Sequence, residues 1–191
     1  MNVSLRFTHR FDGHDLVIAW TFANRESAEL GVFNLIEVVR PDGTVSFSPE
    51  VAWVEFDEGV LTVSQRALAA PPGLAMTARV PPYCSRFAAS ADSEGEVRVP
   101  LPLRVMHTYR RAALGGQVVA DVPRDASALR FALGVFPLDD QCRLAAEQPA
   151  FPEVFTALPP GPALARQEIV SAEITLAHPL TVLDYRSVPW D

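Results

Sequence analysis

The sequence predicts an all-β sandwich, and three observations carry that reading. Apolar residues recur at every second position along most of the chain, which is the period of a half-buried strand. Turn-forming residues interrupt these runs about every 8–12 residues. No long helical pattern separates one run from the next, as it would in a parallel α/β sheet. Together they predict an immunoglobulin-like or fibronectin-III-like antiparallel sandwich of about nine or ten strands with long proline-rich loops. The 191 residues suit one domain, residues 1–191, because two smaller units would each bury a poorer core.

The opening runs form a hairpin. Val3, Leu5 and Phe7 alternate with Ser4, Arg6 and Thr8, and Leu16, Ile18, Trp20 and Phe22 alternate with Val17, Ala19 and Thr21. Phe11-Asp12-Gly13-His14-Asp15 turns between them. Leu30–Arg40 is apolar on both faces in part, as a central strand is. Pro41-Asp42-Gly43 then turns the chain, since Pro presets φ and Gly accepts positive φ. Short strands follow at Thr44–Phe47, Ala52–Phe56 and Val60–Ser64, with Asp57-Glu58-Gly59 between the last two.

Prolines 71, 72, 81 and 82 forbid a long helix in Ala67–Pro82, leaving at most a short strand around Met76–Val80. Ala88–Gly95 reads as a polar loop. Glu96–Val105 alternates well, but Pro100 and Pro102 cannot donate to a ladder, so this is expected at a sheet edge. Leu129–Phe136 is a strand. Asp139–Leu164 is the least strand-like stretch: Leu144–Glu147 suits one helical turn and five prolines suit a surface connection. Ile169–Leu183 is the last strand or strand pair, with Pro179 expected to break it. In-phase alternation nominates Leu5, Phe7, Ile18, Trp20, Phe22, Leu35, Val97, Val99, Phe131, Leu133 and Ile174 for the core.

Composition excludes some chemistry. All 16 basic residues are arginine, a bias that fits a GC-rich bacterial genome. Without lysine there is no Schiff-base catalysis, no Walker-type phosphate lysine and no serine–lysine dyad. The net charge of −7 opposes non-specific nucleic-acid binding. No apolar run approaches the ~20 residues of a membrane span, and the N-terminus lacks the pattern of an export signal. These features predict a cytoplasmic protein that binds neither membrane nor nucleic acid and keeps its two cysteines reduced.

Each candidate site has a plainer reading beside it. His9, His14, His107 and His178 show no metal-ligand spacing. Cys84 lies in Pro81-Pro82-Tyr83-Cys84-Ser85-Arg86, where Arg86 would activate a thiolate. A small buried hydrophobe is the plainer reading, for Cys142 as well. Met106-His107 has no cysteine beside it, so no copper site is expected. Asp139-Asp140 and Glu55, Asp57 and Glu58 follow no calcium-loop order and read as solvated turns. Gly115-Gly116 reads as a turn, and no cofactor motif occurs. Trp20 should be core, Trp53 shares a face with Val51 and Glu55, and Trp190 near the end of the sequence is free to anchor a partner.

Three function classes follow. The first is a non-enzymatic binding or assembly domain working through edge strands or long loops, with a protein partner or as a homodimer. Its opening strand Val3–Phe7 carries no proline and only Arg6 as a charge, so it is available for pairing if it lies at an edge. The second is an inhibitor. Size and β content resemble, loosely, the small bacterial intracellular proteinase inhibitors with an immunoglobulin-like fold, and Pro81, Pro82, Tyr83 and Arg86 would form a stiff exposed loop. The third is a thiol enzyme acting through Cys84. The first is the leading expectation, with Pro81, Pro82, Tyr83, Arg86 and Trp190 as its candidate contacts.

Overall fold

The computed structural model describes residues 1–68, 83–106, 119–148 and 151–187. The described chain is all-β apart from one short helix. Its elements are β1 (Val3–Phe11), β2 (Asp15–Asn24), β3 (Leu30–Val39), β4 (Val45–Ser48), β5 (Trp53–Asp57), β6 (Val60–Gln65), β7 (Tyr83–Phe87), β8 (Asp92–Pro100), β9 (Val119–Pro137), β10 (Arg143–Gln148), β11 (Phe151–Leu158), α1 (Pro160–Ala165) and β12 (Glu168–Ser187). No described helix is long and apolar enough to cross a membrane.

Two sheets result. The smaller has the order β1-β2-β8, and the larger runs β10-β11-β7-β3-β9-β6-β5, with β12 on β9 and β4 on β3. Among the described strands pairing is antiparallel except between β6 and β9, where Val60–Gln65 runs parallel to Ala128–Leu133; the isolated Arg104–Leu183 bridge is parallel too. One edge of β9 carries β12 along most of its length. The other carries β6 and then β3. Bridges between Arg104 and Leu183 and between Val54 and Met106 tie the far half of β12 back to β5. The larger sheet therefore curls on itself at that end.

The opening hairpin forms as its alternation predicts, with Leu5 opposite Phe22 and Phe7 opposite Trp20. The Asp12 carboxylate accepts hydrogen bonds from the His14 and Asp15 N–H groups and fixes the turn. Between β3 and β4, Asp42 accepts from the Thr44 N–H at 2.9 Å, and Gly43 takes a φ of 81°, which an L side chain would resist. The two sheets close over one apolar cluster that includes Leu5, Ile18, Trp20, Phe22, Val97, Val99, Phe131 and Leu133. Phe7 and Ile174 are half-buried against it. Leu35 is also half-buried. The Trp20 ring stacks on Phe87 at 6.1 Å and on Phe131 at 6.2 Å.

Several expectations are corrected. The described residues already hold twelve strands rather than nine or ten. β8 starts at Asp92, inside the expected polar loop, because Asp92–Pro100 pairs with Asp15–Ala23 along its whole length. It ends at Pro100, and Leu103–Met106 belongs to the bridging segment instead. Asp139–Leu164 is not a surface connection: Leu144–Glu147 lies in β10, which pairs with β11. Tertiary packing overrides the helix preference of the alanines here. Small side chains let α1 settle on the sheet, so that Ala163 joins Phe33, Ala67, Cys84, Phe136, Cys142 and Ala157 in a second apolar cluster. Pro179 does not end the last strand. β12 absorbs it in a register shift between Thr175 and Leu180 and continues to Ser187. The expected strand at Met76–Val80 lies outside the described residues.

Candidate functional site

The smaller sheet ends in β1 and β8, and hydrogen-bond phase decides what each edge offers. In an antiparallel strand, the N–H and C=O of one residue point to the same side, and the side alternates along the chain. The Arg25 N–H donates to the Asn2 carbonyl at 3.0 Å, in register with the β1–β2 ladder. Even-numbered residues of β1 therefore bond to β2. Val3, Leu5, Phe7, His9 and Phe11 direct their backbone groups away from the sheet, and among the described residues those groups have no backbone partner.

Three other edges are covered in part, whereas β10, at the end of the larger sheet, resembles β1 in showing no outward backbone partner among the described residues. On β8 the outward Arg98 N–H donates to the Glu50 carbonyl at 2.8 Å. Pro100 shares that phase, so its missing N–H is one the ladder never needed; this is why proline is tolerated there. Val54 on β5 exchanges both backbone bonds with Met106, at 2.9 and 2.8 Å. On β12, the Leu183 groups bond to Val105 and Leu103. β12 packs close to β1, but among the described residues no backbone hydrogen bond reaches the outward groups of the nine residues of β1. β1 also lacks proline, and its inward side chains Leu5 and Phe7 are apolar.

The outer face of this sheet carries charge. Arg98 lies 2.8 Å from Asp12, 3.5 Å from Asp15 and 2.7 Å from Glu96, and Arg10 lies 3.3 Å from Glu96. Hydrogen bonds and the neighbouring Asp12 and Glu96 carboxylates hold the Arg98 guanidinium charged. Backbone N–H groups, then Arg98, pull the Asp12 carboxyl below its usual range. Arg6 differs, having no ion pair among the described residues. It stands beside a shallow depression of about 250 Å3 lined by Arg6, Thr8, Ala19, Thr21 and Glu94, with the Phe7, Trp20 and Gly95 strand positions as its floor.

The predicted contact residues do not come together. Pro81, Pro82 and Trp190 lie outside the described residues. Tyr83–Arg86 is no exposed loop: it is most of β7, an interior strand between β3 and β11. Tyr83 is buried and its ring meets Phe47 edge-on at 4.5 Å. Two diprolines ahead of a five-residue strand mask its short alternation. Arg86 is exposed, 5.4 Å over the Phe155 ring and 3.8 Å from Glu29.

Cys84 is fully buried and donates to the Phe155 carbonyl at 3.3 Å. Burial first, and then the Cys142 thiol, push its pKa up to about 12, the reverse of an activated thiolate. Both cysteines are free thiols, and burial raises Cys142 too. Asp139 is more than a solvated turn. Its carboxylate takes two hydrogen bonds from Arg166 at 2.9 and 2.6 Å and accepts from the Gln141 and Cys142 N–H groups, tying α1 to the β9–β10 turn. Arg166 first, then the Gln141 N–H, hold its carboxyl far below the usual range. Glu55 pairs with Arg66 at 2.7 Å. Among the described residues no group of three or more His, Cys, Asp or Glu side chains is placed to hold a metal ion. His14 and His178 are exposed, His9 is half-buried edge-on to Phe11, and His107 lies outside the described residues.

The edge was visible in the sequence only as a condition, because alternation gives a strand's face but not its neighbours. No known protein family, no curated protein and no solved structure matches this chain.

Proposed function

We propose that this protein is a non-enzymatic binding or assembly domain that pairs a partner strand with β1. The observation that supports this reading is the run of outward backbone groups at Val3, Leu5, Phe7, His9 and Phe11, which have no backbone partner among the described residues. An extended segment laid there gains main-chain hydrogen bonds, while side-chain alternation sets its register. The partner is a protein strand, from a second copy or from another protein. We read the two-sheet architecture as immunoglobulin-like or fibronectin-III-like, on the strength of its hairpin-linked antiparallel sheet facing a larger one. The same reading keeps the protein in the cytoplasm, away from membranes and nucleic acid, in line with its charge of −7.

Amide exchange tests the proposal in the intact protein with and without concentrated protein or an added strand-forming peptide. Protection appearing at Val3, Leu5, Phe7, His9 and Phe11 supports it. An unchanged exchange pattern under both conditions, with a mass of 20.9 kDa at all concentrations, overturns it.

A further inference from the structure

We infer that the strand received by β1 is an extended segment of another protein that alternates carboxylates with apolar residues. This rests on the edge reading above and adds the partner's chemistry. The argument is charge complementarity in a fixed phase. The outer face of β1 presents Arg6 and Arg10 four residues apart, with Thr8 between them and no acidic residue on the strand. Arg10 shares Glu96, whereas Arg6 has no charged partner among the described residues.

Because even residues bond inward to β2, an antiparallel partner meets Arg6 and Arg10 in non-hydrogen-bonded pairs. These are the pairs in which side chains approach most closely. A carboxylate opposite Arg6 would continue the cross-strand row of Arg6, Thr21 and Glu94, setting Arg6 between the added strand and the depression that Glu94 lines. On the inner face, Val3 and Phe7 remain half-buried against the main core. Apolar residues on the added strand would extend that core over them. A second copy fits this phase poorly: antiparallel β1–β1 pairing about Phe7 sets each Arg6 opposite Thr8 and diagonal to the other Arg6, adding like charge at the seam.

The test uses the full chain and two soluble peptides, acetyl-Val-Glu-Val-Thr-Val-Glu-Val-amide and its counterpart with Lys for both Glu. Binding is read by fluorescence anisotropy and amide exchange, and association by light scattering. We expect the acidic peptide to bind at least about fivefold more tightly, with the difference shrinking as salt rises. R6E should abolish or reverse the preference. H9P removes one outward N–H, leaves the β2 ladder intact, and should weaken both peptides. Equal binding of the two peptides, or peptide-independent dimerisation through β1, overturns the acidic partner and leaves the edge reading standing. No peptide binding and no association overturns both.

Discussion

Trp20 is a residue on which the two sheets meet. Its indole lies between Phe87 and Phe131 and is only 5% exposed. Trp20→Ala should cost about 3–5 kcal/mol in urea unfolding, because it leaves a cavity that the surrounding strands cannot close. The indole Nε1 is buried with no hydrogen-bond partner among the described residues. Trp20→Phe should therefore be far milder, since it discards an N–H that no described residue accepts. Gly95 explains the fit from the other side: a Cβ there would collide with the indole. Gly95→Ala should destabilise by about 1–3 kcal/mol, and the loss should largely vanish in a Trp20→Ala background, a coupling that a double-mutant cycle reads directly. Cys84 supplies a titration. Its folded pKa of about 12 stands above the ordinary 9.0, so the unfolded chain ionises first. Stability is unaffected below about pH 9 and falls as pH rises towards 12, by up to about 4 kcal/mol. Cys84→Ala should remove that part of the alkaline loss, measured by urea unfolding across this range.

At the scale of elements, hydrogen-bond phase in β1 makes neighbouring residues unequal. Thr8→Pro removes a ladder N–H to β2 and should cost about 3 kcal/mol or more, whereas His9→Pro removes an outward N–H and should cost much less. In the isolated protein the Ser4, Arg6, Thr8 and Arg10 amides should exchange slowly and their odd-numbered neighbours fast. Equal costs or equal exchange would show that the phase is misplaced. The first hairpin was legible because its runs are long and their turn chemistry is explicit. β8 was legible as an edge because Pro100 states which side its missing N–H faces. β7 was hidden behind Pro81 and Pro82, and β10 behind Leu144–Ala146, whose helix preference yields to the small-residue packing under α1. Asp139 shows the same limit. Its acidic dipeptide says solvated turn, and only the fold brings Arg166 to it from the far side of a hairpin. Because Arg166 depresses its carboxyl, Asp139 adds stability above the unfolded carboxylate range, and that contribution is lost as pH falls through its lowered pKa.

For the whole molecule, the sequence supported the all-β class and most of the core, since alternation reports which side chains are buried. It did not report which strands become neighbours. The parallel pairing of β6 with β9 and the bridges from Leu103–Met106 to β5 and β12 depend on contacts far apart in sequence. The main core draws on both sheets, with Ile18 and Val97 from one and Leu61 and Leu133 from the other. Circular dichroism and tryptophan fluorescence should therefore report one coincident urea transition. Two separated transitions would mean that the sheets hold independently.

The β6–β9 pairing also sets the order in which the protein is assembled. β1 with β2 and β5 with β6 are antiparallel neighbours joined by short turns, and such hairpins close in about microseconds. Val60–Gln65 cannot meet Ala128–Leu133 until the chain between them has given up its loop entropy. Topology of this kind places the slow step in the long-range closure rather than in the hairpins, and predicts refolding in the millisecond-to-second range. Leu61→Ala and Leu129→Ala, on either side of that junction, should therefore slow refolding. A stopped-flow chevron in which both variants change only the unfolding arm would place the nucleus elsewhere.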